Sequence, residues 1–512
     1  MPGINEDRNR QVVPLWRHSD ATGRRGELAS HNPVPGEIFT DEMVAQLVAE
    51  WKEAGGLSVA SDLVSAALTL GRFSVATDAA EFVSASPSAP AAARRVASVY
   101  LARGRGNLPP APPAQEVFTN SVTITERLQT GVRDTRRQLI AYPRDPILWT
   151  NLARLYTSLG VQHKAERAIL GALTIAPENR FVLRAAARFF LHTGMARRAH
   201  RLLENAACVR ADPWVLASEI ATAAAAGRTS NNVKTARRMI EAGRQSPFHL
   251  SELASAIGTL ESVSGNLRSA RPFLDLSLRD PAENAIAQAA WLSRNVTGIS
   301  LHAAHTPSVE ANAWYASQKE NWTQALGEAR RWLADQPFSS RPAMFGSFIA
   351  ARALDDYAAA VEFGRQGLLS NPDDFTLRNN LAFALALQGN VMAAARENGR
   401  IDPCALTDGQ RIAFLATSGL IEFRSGRAAQ GRSLYRSAID LGRRLQDKKE
   451  AIARIYYAME EVRVRSADAE TICREAIEHA RALREPADVA LVEKLKNSSA
   501  GLTALAGPLR PS

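Results

Sequence analysis

Nine histidines are scattered along the 512-residue chain, and only His302 and His305 lie close together. Three apart on one helix, two imidazoles could share a metal ion. Thr306 and Pro307 end any helix there, and the nearest carboxylate is Glu310, so the pair reads as part of a solvated loop. The cysteines, Cys208, Cys404 and Cys473, are odd in number and far apart. That argues against a disulfide framework or a zinc knuckle and leaves buried free thiols as the expectation. No phosphate-cradling glycine loop, dinucleotide fingerprint, nucleophile elbow or HExxH occurs. The expectation is a non-enzyme with no cofactor and no metal.

Arginine is the chemistry that remains. Of 62 basic residues only eight are lysine, and the net charge is +10. The guanidinium is a planar fork suited to carboxylates and phosphates, and a basic surface attracts nucleic acid or acidic partners. Abundant Arg and Ala with little Lys is equally what a GC-rich bacterial genome encodes, and no Lys/Arg block is long enough to form a tail. In "REAIEH" (474–479) an Arg precedes a His by five positions on one helix, a spacing that resembles the RNase motif of the HEPN family. Comparable spacings at Arg244 with His249 and at Arg25 with His31 match what this composition yields by chance. The plain reading is a surface pair.

The elements that must position any site are helical. Hydrophobic residues make up 46% of the chain and aromatics only 6%, which with abundant Ala suits closely packed helices. "LWTNLARLYTSLG" (148–160) has the pattern of an amphipathic helix ending at a glycine. Shifting the sequence by 34 residues lays Tyr156 on Phe190, Gly160 on Gly194, Ala165 on Ala199 and Ala172 on Ala206, with Pro143 and Pro177 equally spaced. A fixed period of this size marks a stacked-repeat architecture. Small residues let paired helices approach closely, Gly ends the first helix in the left-handed conformation, and proline closes the second.

The unit 146–177, with Trp149, Leu152, Ala153, Tyr156, Gly160, Ala165, Ala172 and Pro177 in register, resembles a tetratricopeptide repeat. The next unit, 180–213, keeps the small residues, the aromatic and Gly194. Weaker copies carry Gly227 with a lengthened loop to Ala236, Gly265 with Ala270, and Trp322, Ala325 and Pro337. Further copies carry Tyr357, Ala360 and Pro372, then Leu381, Ala382, Gly389 and Ala394, then Phe423, Gly426, Tyr435 and Ala438. The resemblance implies an all-α fold: a right-handed superhelix of stacked antiparallel helix pairs, a TPR-like α-solenoid, here with a disordered N-terminal arm.

It also implies where a site would be. In that family the second, fifth, ninth and twelfth residues of each unit line a concave groove. Those places hold Ile147, Thr150, Arg154 and Thr157 in one unit, Phe181, Arg184, Arg188 and Leu191 in the next, and Thr376, Asn379, Phe383 and Ala386 in a later one. The candidate partner-binding residues are therefore Thr150, Arg154, Thr157, Arg184, Arg188, Asn379 and Phe383. The family's chaperone-tail clamp has Lys and Asn where this chain has Thr150 and Arg154, so chaperone tails are not the expected ligand.

Pro, Gly and charge without periodicity over 1–38 predict the disordered arm. A helical segment with a degenerate repeat follows at 39–104, then a Pro-rich linker at 105–120. The array occupies 121–296 and 309–498, with a hinge at 297–308 and a flexible tail at 499–512. No apolar run approaches a membrane span, and the N-terminus lacks an apolar signal core, so a cytoplasmic location is expected. The expected function is a non-enzymatic scaffold that holds an acidic or helical segment of another protein in the groove. The alternative is a nucleic-acid-associated protein using a basic groove, and neither a membrane nor a small-molecule substrate is expected.

Overall fold

A computed structural model of the chain describes residues 10–17, 41–89, 91–105, 124–297 and 308–505. Among these residues the regular elements are helices, and no strand occurs. No described helix is long and apolar enough to cross a membrane. His302 and His305, most of the expected hinge and nearly all of the Pro-rich linker lie outside the described residues. The chain divides into two compact units, residues 8–311 and residues 312–512.

The first unit opens with α1 (Asp41–Ala54), α2 (Leu57–Leu70), α3 (Thr77–Ala85) and α4 (Ala91–Gly104). These surround a small core that includes Leu63, Val64, Val83 and Tyr100. Ten helices follow: α5 (Ile124–Ala141), α6 (Pro146–Ser158), α7 (Gln162–Ile175), α8 (Arg180–His192), α9 (Ala196–Glu204), α10 (Pro213–Ala225), α11 (Val233–Ala242), α12 (Pro247–Val263), α13 (Leu267–Ser277) and α14 (Glu283–Asn295). The unit boundary falls within α15 (Val309–Gln318). Beyond it come α16 (Trp322–Asp335), α17 (Ser340–Arg352), α18 (Tyr357–Ser370), α19 (Phe375–Leu387), α20 (Val391–Asn398), α21 (Asp408–Arg424), α22 (Ala428–Leu445), α23 (Lys449–Arg463), α24 (Ala469–His479) and α25 (Pro486–Leu505).

Both units are α-solenoids of stacked antiparallel helix pairs. Consecutive helices pack as pairs, and alternate helices also touch: α6 with α8, α8 with α10, α10 with α12 and α12 with α14 in the first unit. In the second unit α17, α19, α21 and α23 touch in the same order. Contact between every other helix is the mark of stacking, because the first helices of successive pairs form an inner row and the second helices an outer one.

The local chemistry of each pair is repeated. Asp145, Asn179 and Asp212 cap α6, α8 and α10 by accepting two backbone N–H groups each. Pro146 and Pro213 occupy first-turn positions whose N–H would be unpaired in any case. The first helix ends on a left-handed glycine at Gly160, Gly194, Gly227, Gly265, Gly389 and Gly426. Beyond each glycine the following N–H reaches five residues back, as from Val161 to Tyr156 at 2.9 Å. Glu320, Asp355 and Arg465 make the same kind of turn with positive φ and a side chain.

Alanines fill the seams: Ala153, Ala165, Ala172, Ala186 and Ala199 are all fully buried. Where helices come closest even alanine is too large. A Cβ on Gly346 in α17 would stand 2.3 Å from the Phe363 ring of α18.

Two termini depart from expectation. Residues 10–17, within the arm expected to lack structure, are ordered and alternately buried. The last helix continues to Leu505, past the point where a flexible tail was expected to begin. Its first half is anchored by Asp488, Leu491 and Leu495, all buried.

Candidate functional site

The inner helices α6, α8, α10, α12 and α14 line one trough in the first unit, and the residues expected to bind a partner there are already engaged. Thr150 and Thr157 are buried, and their hydroxyls donate to the carbonyls of Pro146 and Ala153 one turn back, both at 2.8 Å. The Arg184 guanidinium donates to Glu252 at 2.8 Å and to the Trp214 carbonyl at 3.0 Å while lying over the Trp214 ring. Arg188 is half-buried and interacts within the chain as well. Arg154 is buried, and its Nε donates to the carbonyl of Trp16 at 3.1 Å.

That last bond identifies what fills the trough. Residues 10–17, "RQVVPLWR", run through it as an extended segment with Arg10, Val12, Pro14 and Trp16 buried and the residues between them partly so. A three-residue turn, in which the Val13 N–H donates to the Gln11 carbonyl at 2.7 Å, bends the segment at Val12. Trp16 is fully buried and meets the Phe189 ring of α8 edge-on, with centroids 6.4 Å apart.

Three side chains hold the backbone of this segment. Asn284 donates to the Val13 carbonyl at 2.8 Å, Gln288 to the Arg10 carbonyl at 2.9 Å, and Arg154 to that of Trp16. The Arg10 guanidinium, only 7% exposed, is met by Glu310 through two parallel bonds of 2.9 and 3.1 Å, by Asn284 Oδ1 at 3.2 Å and by Gln288 Oε1. At the other end Arg17 pairs with Glu283. Asn284 and Gln288 therefore each read one backbone carbonyl and one face of the arginine.

The charge logic differs from the expectation of a basic groove for an acidic partner. The trough presents Glu283 and Glu310 to arginines of the occupant, while Arg154 and Arg184 are consumed by a carbonyl and by Glu252. A signal for this was present in α14. "ENAIAQAA" places Asn284 and Gln288 four apart on an otherwise alanine-rich helix, and both are almost fully buried. Polar groups at that spacing on a buried face need partners.

In the second unit the expected groove residues belong to the core. Asn379 is fully buried, and Phe383 packs edge-on against Tyr456 of α23 with centroids 5.0 Å apart. Burial pushes the Tyr456 hydroxyl up to about 12, despite the nearby Arg352 charge. The final helix α25 touches α17, α23 and α24. Its Asp488 pairs with buried Arg352, and Lys494 donates to the Arg352 carbonyl at 2.9 Å and pairs with Asp355 at 2.8 Å. Two inner helices of this unit, α17 and α23, are thus covered by α25.

Arg474 pairs with Glu470 and the His479 ring meets the Glu475 carbonyl, both one turn back on α24. Among the described residues no cluster of three His, Cys, Asp or Glu could hold a metal ion. Cys473 is buried, Cys208 partly so, and Cys404 is exposed. Burial, with Glu178 and Asp212 nearby, raises the Cys208 thiol to about 12, so it stays protonated.

His249 gives the first unit an acid-sensitive point. Its ring accepts or donates to the Ser246 hydroxyl at 2.9 Å and sits edge-on to Trp214 and Phe248. Burial, then the Arg180 charge, lowers it to about 4, with Arg103 adding to the effect and Asp212 opposing it. The unfolded chain takes up this proton near pH 6.5, whereas the folded chain resists until about pH 4. Stability supplied by the neutral ring is therefore complete above pH 6.5 and is lost progressively as pH falls towards 4, about 3 kcal/mol in all. His249→Phe should flatten that slope in urea unfolding at pH 7 and pH 4.5; parallel acid losses in both proteins would assign the effect elsewhere.

No protein-family model and no curated protein matches this chain. Among solved structures it is similar to a chain of the APC/C hetero-tetramer Cut9-Hcn1, with 11% identity over 88% of this chain and 92% of that one and a TM-score of 0.35. It is also similar to a monomeric mutant of IFIT1 with Gppp-AAAA, at 12% identity over 94% of this chain and 100% of that one, TM-score 0.31. The human IFIT1 dimer with PPP-AAAA gives 11% identity over 94% and 100%, TM-score 0.27. At this identity and overlap these likenesses say nothing of what the chain binds or does.

Proposed function

We propose that the protein is a non-enzymatic interaction scaffold of tetratricopeptide type, whose first unit holds an extended polypeptide segment in the trough of its inner helices. One observation carries this reading: residues 10–17 are seated there by bonds from Asn284, Gln288 and Arg154 to backbone carbonyls. Carbonyl contacts of this kind give affinity for any extended chain, and pockets for alternate side chains give selectivity. Glu283 and Glu310 facing the occupant disfavour a phosphate backbone in the same place. The nucleic-acid alternative therefore draws no support from the trough.

Selection of random peptides displayed on phage, against the full chain carrying Trp16→Ala, tests the reading. Enriched peptides are expected to bind at least tenfold less well once Asn284→Ala and Gln288→Ala are added. A selection that enriches nothing, while the same chain retains single-stranded RNA at low salt, would sink it in favour of nucleic acid.

A further inference from the structure

We propose that residues 10–17 are a displaceable internal ligand, and that the trough is selective for an extended segment with the pattern Arg–x–aliphatic–x–Pro–x–Trp, supplied by a partner protein in exchange for the chain's own copy. The proposal rests on the scaffold reading above and adds the sequence the trough recognises and the competition a partner must win.

The first argument is the construction of the arginine pocket. Nε and Nη2 of Arg10 address the two oxygens of Glu310, Nη2 also reaches Asn284, and Nη1 reaches Gln288. A planar fork with donors in those directions satisfies all four acceptors, and an ammonium cannot. A buried ion pair is seldom the most stable filling of a core, since apolar residues of similar volume do as well or better. An immobile plug would need no such pocket, whereas a recognition site does.

The second argument is independence from the repeat fold. The inner helices contact one another in sequence without help from the segment. The segment's own contacts reach residues 138 to 300 positions away, and residues 18–40 separate it from α1. Covalent attachment through those 23 residues keeps its local concentration on the order of millimolar. An external segment binding with micromolar strength must overcome that competitor, so weakening the internal copy should strengthen external binding by about the ratio of the two values.

The third argument is the alternation. Val12, Pro14 and Trp16 follow Arg10 at two-residue intervals on the buried side, and Trp16 closes the run against Phe189. Arg17, partly exposed on Glu283, extends the charge preference to the mouth of the trough.

The test uses the full chain and a fluorescein-labelled synthetic peptide of residues 8–18, followed by anisotropy. On the Arg10→Ala chain, whose trough is unaltered, the peptide should bind at least tenfold more tightly than on the unmodified chain. A peptide with Arg10→Lys should lose at least tenfold on that same chain, and Glu310→Gln in the chain should shrink the Arg-to-Lys difference. Equal binding by both chains, or no preference for Arg over Lys, would overturn the proposal. If Arg10→Ala fails to fold, the unmodified sequence with a protease site inserted between residues 18 and 40 is cut after folding. Exchange of the released fragment for excess labelled peptide supports the proposal, and permanent retention overturns it. Peptides from the random selection that bind without the pattern, alongside a fragment that never exchanges, would refute this inference while leaving the scaffold reading intact.

Discussion

Asp488→Ala is expected to destabilise the 312–512 unit by about 3–5 kcal/mol, the typical cost of removing one partner of a buried ion pair. Asp488 and Arg352 are each only about 3% exposed, and the guanidinium is wedged against the Phe348 ring at 4.4 Å. Removing the carboxylate takes the ion-pair partner from a buried guanidinium that has little water to turn to. Lys494 still ties α25 to the Arg352 carbonyl and to Asp355, so the helix is held over the buried guanidinium. Hydrogen exchange should report the loss across α17, α23 and α25. Adding Arg352→Met should recover most of it, because an apolar pair of similar volume fills the site without desolvation cost. A loss below about 1 kcal/mol for the single substitution would mean that the pair is more hydrated than its burial implies.

Glu310→Ala is the corresponding experiment in the first unit, and its outcome should differ in kind. Glu310 supplies two of the four acceptors around Arg10. Arg352 sits inside a packed helix, whereas Arg10 belongs to a segment that can leave and return its charge to water. The cost is therefore limited by the docking energy of the segment. Protection of the amides in residues 10–17 should fall by about 3 kcal/mol, while α6 to α14 keep theirs. The exchanged pair, Arg10→Glu with Glu310→Arg, should restore part of the protection. An equal loss along α6 to α14 would show that the segment is integral to the core and would count against any role as a ligand.

Recognition of the repeats depended on which residue makes each turn. Gly160, Gly194, Gly227, Gly265, Gly389 and Gly426 announce the end of a first helix because their left-handed backbone costs other residues more. Where Glu320, Asp355 and Arg465 take that conformation the signal disappears, although the turn itself persists. The caps at Asp145, Asn179 and Asp212 act just as locally, each on backbone N–H groups two and three residues ahead. The groove positions fall on α6, α8 and α19, but position along a helix does not say whether a side chain is free. Thr150 and Thr157 spend their hydroxyls on their own helix, Arg184 turns to Glu252, and Asn379 is sealed in the second unit.

What the sequence determined by itself is the solenoid: caps, left-handed turns, closing prolines and buried alanines recur within about 34 residues, and each acts through bonds to its near neighbours. What only the tertiary structure decided is the content of the grooves. Arg10 meets Glu310 across 300 positions, and Arg352 meets Asp488 across 136. Such pairings leave no period in the sequence, so no local pattern announces them. A segment that reads as disordered by composition becomes ordered here because the trough offers its arginine four acceptors and its tryptophan an aromatic wall.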